Sequence, residues 1–244
     1  MSPPVVVTVA GTDSGGAAGI AADLATFAAL GVHGACVVTA VTAQDTTGVH
    51  AVHPVPYDVV AAQLDAVLDD LDPVAVKTGM LATPEVVRLV AERCAGRLLV
   101  VDPVVTATSG AVLASAEVVA AYRTHLLPVA TVATPNADED DLLDPPPSAT
   151  VVRTGGGGID VLRRPGRPPL RIDHDHVATH NDHGTGCTYS AALAAHLAHG
   201  LDLCAAARAA SSYVVGQLHT SRHWTLGRGR GPVAHTLPDR GVTA

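Results

Sequence analysis

The feature of this sequence that most constrains its fold is the alternation of short valine-rich runs with longer stretches rich in alanine and leucine. The short runs are almost continuously apolar, which is typical of strands covered on both faces. Such runs lie at residues 5–10, 35–41, 74–80, 98–105, 131–134 and 150–153. Helical character marks residues 18–30, 57–71, 84–94, 116–127, 187–200 and 203–218. This alternation predicts a three-layer α/β fold, in which a mostly parallel central sheet carries helices on both faces.

The pattern changes after Arg153. A glycine turn at residues 155–158 and short apolar runs at 159–162 and 170–173 predict short strands that can pair in antiparallel fashion. Residues 227–244 show little periodicity and are predicted to form a covering loop. No linker or internal repeat divides the sequence, so we expect a single domain over residues 1–244.

Composition excludes several classes of function. The chain has 244 residues, a net charge of −8 and only 2% aromatic residues, which argues against nucleic-acid binding. No apolar run approaches the ~20 residues that cross a bilayer, and the first residues lack the basic flank of a signal peptide. We therefore expect a cytoplasmic protein with no membrane partner. The four cysteines include no CxxC pair, so neither a disulfide framework nor a zinc site is predicted.

Polar clusters, three of which contain glycine, follow six predicted strands. They occupy residues 11–16, 42–45, 77–80, 102–103, 134–136 and 154–156. In an open parallel sheet, ligands bind outside the carboxyl ends of the strands. One cluster would be only a turn, but six in phase predict a composite site along one edge of the sheet.

The strongest single motif is His-Gly-Thr-Gly-Cys-Thr at residues 183–188, directly before an apolar helix. Glycines allow a tight turn, and the backbone N–H groups and dipole of the helix N-terminus favour a phosphate there. The same field is expected to lower the pKa of the Cys187 thiol, which would then accept a hydroxyl proton during phosphoryl transfer. The alternative is a buried cysteine that merely follows a glycine-rich turn.

These motifs resemble those of the hydroxymethylpyrimidine and hydroxymethylpyrimidine-phosphate kinases of thiamine biosynthesis, a family of the ribokinase-like class. The similar segments are residues 10–23, 39–46, 76–81, 101–104 and 134–136, with Glu139, Gly227, Gly229, Gly231, Pro232 and His235. The resemblance implies a ribokinase-like fold and ATP-dependent, Mg²⁺-dependent phosphorylation of 4-amino-5-hydroxymethyl-2-methylpyrimidine and of its monophosphate. It also implies a homodimer.

The resemblance also assigns roles to individual residues. Gly184, Thr185 and Gly186 would form the anion hole beside Cys187, the expected base. Gln44 would hydrogen-bond the aminopyrimidine, in a pocket lined by Gly11, Asp23, Met80 and Val104. The nucleotide would contact Asn136, Thr154 and Gly156, and Glu139 would hold Mg²⁺ directly or through water.

Each of these residues also has a plainer interpretation. Asp23 would be a solvated helix residue, Met80 a core filler and Gln44 a loop amide. Asn136 and Glu139 have the spacing of a capping box at a helix start, which is compatible with a role near the phosphates.

The sequence departs from the family's pattern in two places. Only residues 136–149, with three consecutive prolines, separate two predicted parallel strands, so the crossover holds at most one or two helical turns over residues 138–143. The family has Val-Lys-Gly-Gly where this chain has Val152-Arg153-Thr154-Gly155-Gly156. Thr154 thus replaces a lysine expected at the transferring phosphate, and Arg153 faces the opposite way along the strand.

Three rival functions remain open at this stage. A pyridoxal or pyridoxine kinase is the nearest alternative, and the missing lysine allows a catalytically impaired pyrimidine-binding homologue. A dinucleotide-dependent dehydrogenase is disfavoured, because the early glycines miss the G-x-G-x-x-G spacing. The His- and Asp-rich residues 173–183 lack a metal-ligand spacing, so we interpret them as a polar strand-to-loop passage.

Overall fold

The computed structural model describes residues 2–108, 110–155 and 157–235. Its strands are β1 (Val5–Gly11), β2 (His33–Asp45), β3 (Gly48–Pro54), β4 (Ala75–Thr78), β5 (Leu98–Val101), β6 (Val132–Ala133), β7 (Val151–Arg153), β8 (Ile159–Arg164) and β9 (Arg167–Asp173). Its α-helices are α1 (Gly19–Ala29), α2 (Tyr57–Leu71), α3 (Pro84–Arg93), α4 (Ala116–Ala121), α5 (Ala137–Leu143), α6 (Thr185–Ala198) and α7 (Leu203–Ser221). A π-helical turn (Tyr122–Leu126) and a 3₁₀ turn (Leu127–Val129) continue α4.

All of these strands belong to one sheet, in the order β3-β2-β1-β4-β5-β6-β7-β8-β9. The six strands from β2 to β7 in that order pair in parallel, whereas β3, β8 and β9 pair in antiparallel fashion. The predicted mostly parallel α/β fold is confirmed, as is the antiparallel character of the strands after Arg153. Because six strands run the same way, their carboxyl ends meet at one edge.

The valine-rich strands bury both faces, which explains their continuous hydrophobicity. On one face Val7, Val9 and Val76 pack with α2, α3 and α4. On the other face Val6 and Val100 pack with α1, α6 and α7. Side chains of adjacent strand residues point to opposite faces, so a single strand such as β1 serves both cores.

The edge hairpin formed by β2 and β3 was not predicted. β2 extends to Asp45, and the Asp45 carboxylate accepts hydrogen bonds from Thr47 and from the N–H of Gly48 to close the turn. β3 carries mostly exposed side chains, including two histidines. A strand this polar gives little periodic signal, which explains why the sequence pattern missed it.

The short crossover between β6 and β7 closes without a long helix. α5 has seven residues and begins with the capping box of Asn136 and Glu139 that the spacing predicted. It ends at Asp144, whose φ of 42° places it in the left-handed region. Ala133 still pairs in parallel with Val151. The predicted one or two helical turns are therefore confirmed.

None of the helices in the described ranges is long and apolar enough to span a membrane.

Candidate active site

The polar clusters at the strand ends line one cleft of about 390 Å³. The predicted site residues that face it are Gly11, Gln44, Met80, Val104, Asn136, Glu139, Thr154, Gly184, Thr185, Gly186 and Cys187. Asp23 does not line the cleft, and Gly156 lies outside the described residues. The polar clusters that the sequence predicts at one edge of the sheet thus share one cleft, and Asp23 lies outside its lining.

Gly184 makes the turn that opens the site. Its φ is +91°, and a Cβ there would lie 1.8 Å from the carbonyl oxygen of Ala17. Only glycine satisfies both conditions. The 14-residue helix α6 starts at the next residue, Thr185, two residues earlier than predicted. Since the first N–H groups of a helix lack intrahelical partners, the N-terminus of α6 offers donors and a positive dipole to an anion in the cleft.

Cys187 lies in the first turn of α6 and faces the cleft, but most of its side chain is enclosed. This enclosure raises the pKa of the thiol to about 12, against the lowering effects of the Lys77 ammonium and the Gly19 N–H. The predicted low pKa is therefore wrong for the unliganded protein. Desolvation outweighs the helix field, and Asp102 and Asp23 add negative charge nearby.

A fully buried ion pair lies beneath the cleft floor. Lys77 donates from Nζ to both carboxylate oxygens of Asp23, at 2.9 and 2.8 Å, and lies 3.8 Å from Oδ2 of Asp102. Thr8 donates to Asp23 at 2.6 Å, and Ser190 donates to Asp102 at 2.9 Å. Burial opposes the charge, yet the Asp23 and Asp102 carboxylates hold the pKa of Lys77 above its usual value. The chain of contacts links β1, α1, β4, β5 and α6.

The position of Asp23 corrects its interpretation as a solvated helix residue, because α1 turns it into the sheet, where it is 0% exposed. Asp23 also does not line the cleft in which the resemblance places it. Its partner Lys77 was missed as a functional candidate. The available signal was that Lys77 is the only lysine in the chain and stands in an otherwise apolar strand. A charge there requires a buried partner.

One end of the cleft places polar side chains beside the apolar side chain of Met80. Nε2 of Gln44 lies 3.1 Å from Nε2 of His183, which lies 3.4 Å from Oδ2 of Asp13. Burial alone would raise the pKa of Asp13, but His183 and backbone N–H groups lower it overall. Gly11 leaves room for Met80, since a Cβ there would lie 2.6 Å from the Met80 Cε. We call this the pyrimidine end, after the ligand that the resemblance implies.

Residues 227–235, which we call the closing segment, hold the backbone of His183 through two hydrogen bonds. The N–H of His183 donates to Gly231 at 3.1 Å, and the N–H of Val233 donates back to His183 at 3.0 Å. Gly231 packs so closely that a Cβ would lie 1.8 Å from Oδ1 of Asn181. The described part of the predicted covering loop thus positions a cleft residue, while residues 236–244 lie outside the described ranges.

The opposite end, which we call the nucleotide end, contains Asn136, Glu139 and Thr154. Glu139 accepts from the N–H of Val105 at 3.1 Å and from the N–H of Asn136 at 3.0 Å. Burial, together with the Asp102 charge, raises the pKa of Glu139 to about 7. The N–H of Thr154 donates to the Pro135 carbonyl at 2.9 Å, which holds the end of β7 against the Thr-Pro-Asn turn.

The carboxylates of Asp102 and Glu139 fit a Mg²⁺ ion. Both line the cleft; burial and the Asp102 charge raise the pKa of Glu139, whereas burial raises the pKa of Asp102 against the lowering effect of the Lys77 ammonium. A divalent cation would relieve that repulsion, and Mg²⁺ commonly takes one or two carboxylates while keeping several waters. The His- and Asp-rich residues 173–176 stand on the nucleotide side, and no cluster of three or more metal-ligating side chains occurs among the described residues.

Comparison with solved structures gives the class of protein. An ADP complex of Bacillus subtilis pyridoxal kinase superimposes with a TM-score of 0.87 at 32% identity, over 96% of this chain and 98% of the other. A phosphomethylpyrimidine kinase from Clostridium difficile superimposes with a TM-score of 0.73 at 31% identity, over 87% and 98%. The fold and the anion-binding turn therefore define an ATP-dependent vitamin kinase of the ribokinase-like class.

Sequence comparison narrows this class to one family. The family model for phosphomethylpyrimidine kinase matches residues 13–234. The hydroxymethylpyrimidine/phosphomethylpyrimidine kinase of Rhizobium meliloti is 43% identical over 256 residues, covering 95% of this chain and 96% of the relative. The enzyme of the same name from Streptomyces coelicolor is 43% identical over 264 residues, covering 96% and 95%. The chain belongs to the phosphomethylpyrimidine kinase family.

Proposed function

We propose that the protein transfers a phosphoryl group from ATP to 4-amino-5-hydroxymethyl-2-methylpyrimidine and a second one to the resulting monophosphate, for thiamine biosynthesis. The observation that carries this proposal is a single cleft with Gln44 at one end, Glu139 at the other and the Gly184–Gly186 turn facing it. Relatives that match nearly the whole chain support both steps, including a thiamine biosynthetic bifunctional enzyme of Arabidopsis thaliana that is 38% identical.

At the pyrimidine end, Gln44 would orient the ring. An amide supplies both a donor and an acceptor, which matches an exocyclic amine beside a ring nitrogen. The Gln44 amide donates from Nε2 to Nε2 of His183, so its orientation would be set before the substrate binds. Gly11, Met80 and Val104 would form apolar walls around the ring. This arrangement would place the hydroxymethyl group toward α6.

Phosphoryl transfer relies on positioning and electrostatics more than on covalent chemistry. Bound Mg²⁺ would offset the charge of the ATP phosphates, with Glu139 and Asp102 as its protein carboxylates. The backbone N–H groups of Gly186 and Cys187 would stabilise the transferring phosphoryl group. Cys187 would accept the hydroxyl proton as a thiolate, after its own thiol proton has passed to solvent, and the Lys77 ammonium supplies the positive charge that favours this thiolate.

The two phosphorylation steps place different demands on Cys187. The first attacking group is an alcohol, which must lose a proton. The second is a phosphate monoester, which is already mostly dianionic at neutral pH because its second pKa is about 6. We therefore assign the base role of Cys187 to the first step, and the anion hole to both.

We also propose that the protein acts as a homodimer in the cytoplasm, where ATP is available. Exposed valines on the edge hairpin, Val41 and Val52, offer apolar surface to a second copy. Light scattering at micromolar concentration would give about twice the 24.7 kDa chain mass if this is right.

A pyridoxal kinase is the second candidate, because pyridoxal kinases superimpose closely on this chain. A Staphylococcus aureus pyridoxal kinase in complex with pyridoxal gives a TM-score of 0.85 at 30% identity. A coupled assay of ADP release with the pyrimidine alcohol, its monophosphate and pyridoxal decides between them. We expect turnover of both pyrimidines. Turnover of pyridoxal alone would favour the second candidate, and pyrimidine binding without ADP release would indicate an impaired homologue.

A further inference from the structure

Met80 brings an apolar side chain to the pyrimidine end of the cleft. Its Cε packs so closely on Gly11 that a Cβ at that glycine would lie 2.6 Å away. A methionine side chain has three rotatable bonds and adapts to whatever surrounds it. Since such a side chain does not fix its own place, its position in the cleft depends on the turn after β4 that carries the Met80 backbone.

The turn after β4 is buried, and two buried hydroxyl groups hold its carbonyl oxygens. Because Gly79 and Met80 are buried, their carbonyl groups need hydrogen-bond partners within the protein. Thr39 on β2 donates to the Met80 carbonyl at 2.6 Å, and Tyr122 in the π-helical turn donates to the Gly79 carbonyl at 3.4 Å. Two residues after Met80, Ala82 has a φ of +64°, which is strained for a residue with a Cβ. Such strain persists only where surrounding contacts hold the backbone.

An irregularity in β2 falls at Thr39, the stronger of these two donors. Two successive residues of β1 pair with Val38 and Ala40 of β2, and the pairing skips Thr39. Bulges are rare in parallel pairs of strands, and they are over-represented next to active sites, where they re-aim a side chain. Thr39 is 0% exposed and does not line the cleft, so its hydroxyl serves the Met80 carbonyl rather than a ligand.

We propose that Thr39 positions Met80 for the pyrimidine ring, through the hydrogen bond from its buried hydroxyl to the Met80 carbonyl. This inference rests on the proposed function, since it requires a pyrimidine beside Met80. Thr39 is then a positioning residue, which acts on the substrate only through Met80. The nucleotide end takes no part in this contact, so loss of the hydroxyl should weaken binding of the pyrimidine and not of the nucleotide.

The test is calorimetric titration of the full chain with the pyrimidine alcohol and, separately, with AMP-PCP in the presence of Mg²⁺. Thr39→Val keeps the shape of the side chain but loses the hydroxyl, so it should bind the pyrimidine about three- to tenfold more weakly and AMP-PCP as wild type does. Thr39→Ser retains the hydroxyl and should recover most of the pyrimidine affinity. Unchanged pyrimidine affinity in Thr39→Val, an equal loss for AMP-PCP, or no recovery in Thr39→Ser would overturn the proposal.

The matched control is Thr26→Val on α1. Thr26 is also 0% exposed, and its hydroxyl has no hydrogen-bond partner among the residues that the structure describes. This variant should bind both ligands as wild type does. If Thr39→Val does not fold, Thr39→Cys replaces it, because a thiol is a weaker donor than a hydroxyl. Wild-type pyrimidine affinity in Thr39→Cys would then overturn the proposal.

A double-mutant cycle tests whether Thr39 acts through Met80. Met80→Ala leaves no long side chain to position, so adding Thr39→Val in that background should change pyrimidine affinity by less than about twofold. Additive losses from the two substitutions would contradict the proposal. If wild type binds the pyrimidine and Thr39→Val matches it, the inference fails and the proposed kinase function stands. If wild type does not bind the pyrimidine at all, both fail.

Discussion

The two ends of the cleft are built differently. The pyrimidine end stands on the ends of β1, β2 and β4, and the buried Asp23–Lys77 pair lies directly beneath it. The nucleotide end is built from loops after β6, β7 and β9 and from the seven-residue α5. Strand ends in a packed sheet are fixed by the core, whereas loops tolerate change. The two departures from the pattern that the resemblance implies, at residues 136–149 and at Thr154, fall at the loop-built end.

The comparison shows that the two ends hold their charged side chains in different ways. At the nucleotide end, Thr154 stands where the resemblance implies a lysine, and the Asp102 and Glu139 carboxylates line the cleft. At the pyrimidine end the charged side chains of Asp23 and Lys77 are buried in the sheet. Removal of either side chain would leave the other one buried without its partner. The two ends should therefore respond differently to substitution.

The largest effect is expected where the two ends meet, at Cys187. Cys187→Ala should lower kcat for the pyrimidine alcohol by about 10²–10⁴-fold, the usual contribution of a general base. For the monophosphate the loss should stay below about tenfold, since that nucleophile needs no deprotonation. Cys187→Asp should recover part of the loss on the alcohol. Steady-state kinetics on both substrates measure this difference.

The control for this prediction is Cys36→Ala, a cysteine on β2 outside the cleft, which should retain wild-type kinetics. Equal losses of kcat on both substrates in Cys187→Ala would contradict the base role and leave the backbone anion hole as the catalytic element.

Lys77→Met should show how firmly the pyrimidine end is built. It leaves the Asp23 and Asp102 carboxylates without their buried cation, which should lower the free energy of unfolding by about 3–5 kcal/mol. Urea denaturation measures this loss, and adding Asp23→Asn in the same chain should restore part of it. Arg93→Met breaks an exposed ion pair with Asp65 and should cost far less. Comparable losses in the two single variants would refute the idea of a buried electrostatic support.

Glu139 gives the nucleotide end a dependence on pH. Its pKa is about 7 in the folded protein against 4.5 for the ordinary side chain, so the folded state holds this proton more tightly than the unfolded chain. Without Mg²⁺, stability should therefore fall as pH rises from about 4.5 to about 7, by up to about 3 kcal/mol from this group.

Glu139→Gln should remove that part of the pH dependence and raise the Mg²⁺ concentration needed for turnover. Denaturation at pH 5 and pH 8 with metal chelated measures the first effect, and Mg²⁺ titration of the rate measures the second. The exposed Glu92→Gln on α3 serves as the control and should change neither. An unaltered Mg²⁺ requirement in Glu139→Gln would leave Glu139 as a helix cap only.

Gln44→Ala should have the smallest effect and the most local one. A ring donor or acceptor left unpaired costs about 1–3 kcal/mol, so pyrimidine affinity should fall by about 5- to 150-fold. Affinity for ATP should not change, because Gln44 lies at the other end of the cleft. Calorimetry with each ligand separates the two. Equal weakening of both ligands would show that Gln44 shapes the whole cleft rather than one end.

The parallel strands and most helices could be predicted from the sequence, because strands covered on both faces are continuous apolar runs such as Val5–Gly11. The glycine turn before Cys187 was readable for a similar reason, since its spacing is local. The polar edge strand β3 could not be predicted, because its mostly exposed side chains carry little periodic pattern.

The predictions that failed at the site concern how deeply side chains are buried and not where they lie along the sequence. The sequence indicated that Asp23 and Cys187 belong near the cleft, but not that Asp23 is buried against Lys77. Nor did it indicate that enclosure of Cys187 outweighs the helix field. The burial of Asp23 and the pKa of Cys187 both depend on which residues from distant helices and strands come into contact. The spacing of residues along the sequence does not reveal those contacts.

The central claim, that this cleft phosphorylates a pyrimidine and then its phosphate, is tested most directly by ³¹P NMR of the product. The protein is incubated with the pyrimidine monophosphate, ATP and Mg²⁺, and the phosphorus signals are followed with time. The account predicts a growing pair of coupled signals from the pyrimidine diphosphate, matched by ADP. Persistence of the monophosphate signal under conditions in which the same preparation phosphorylates pyridoxal would contradict it.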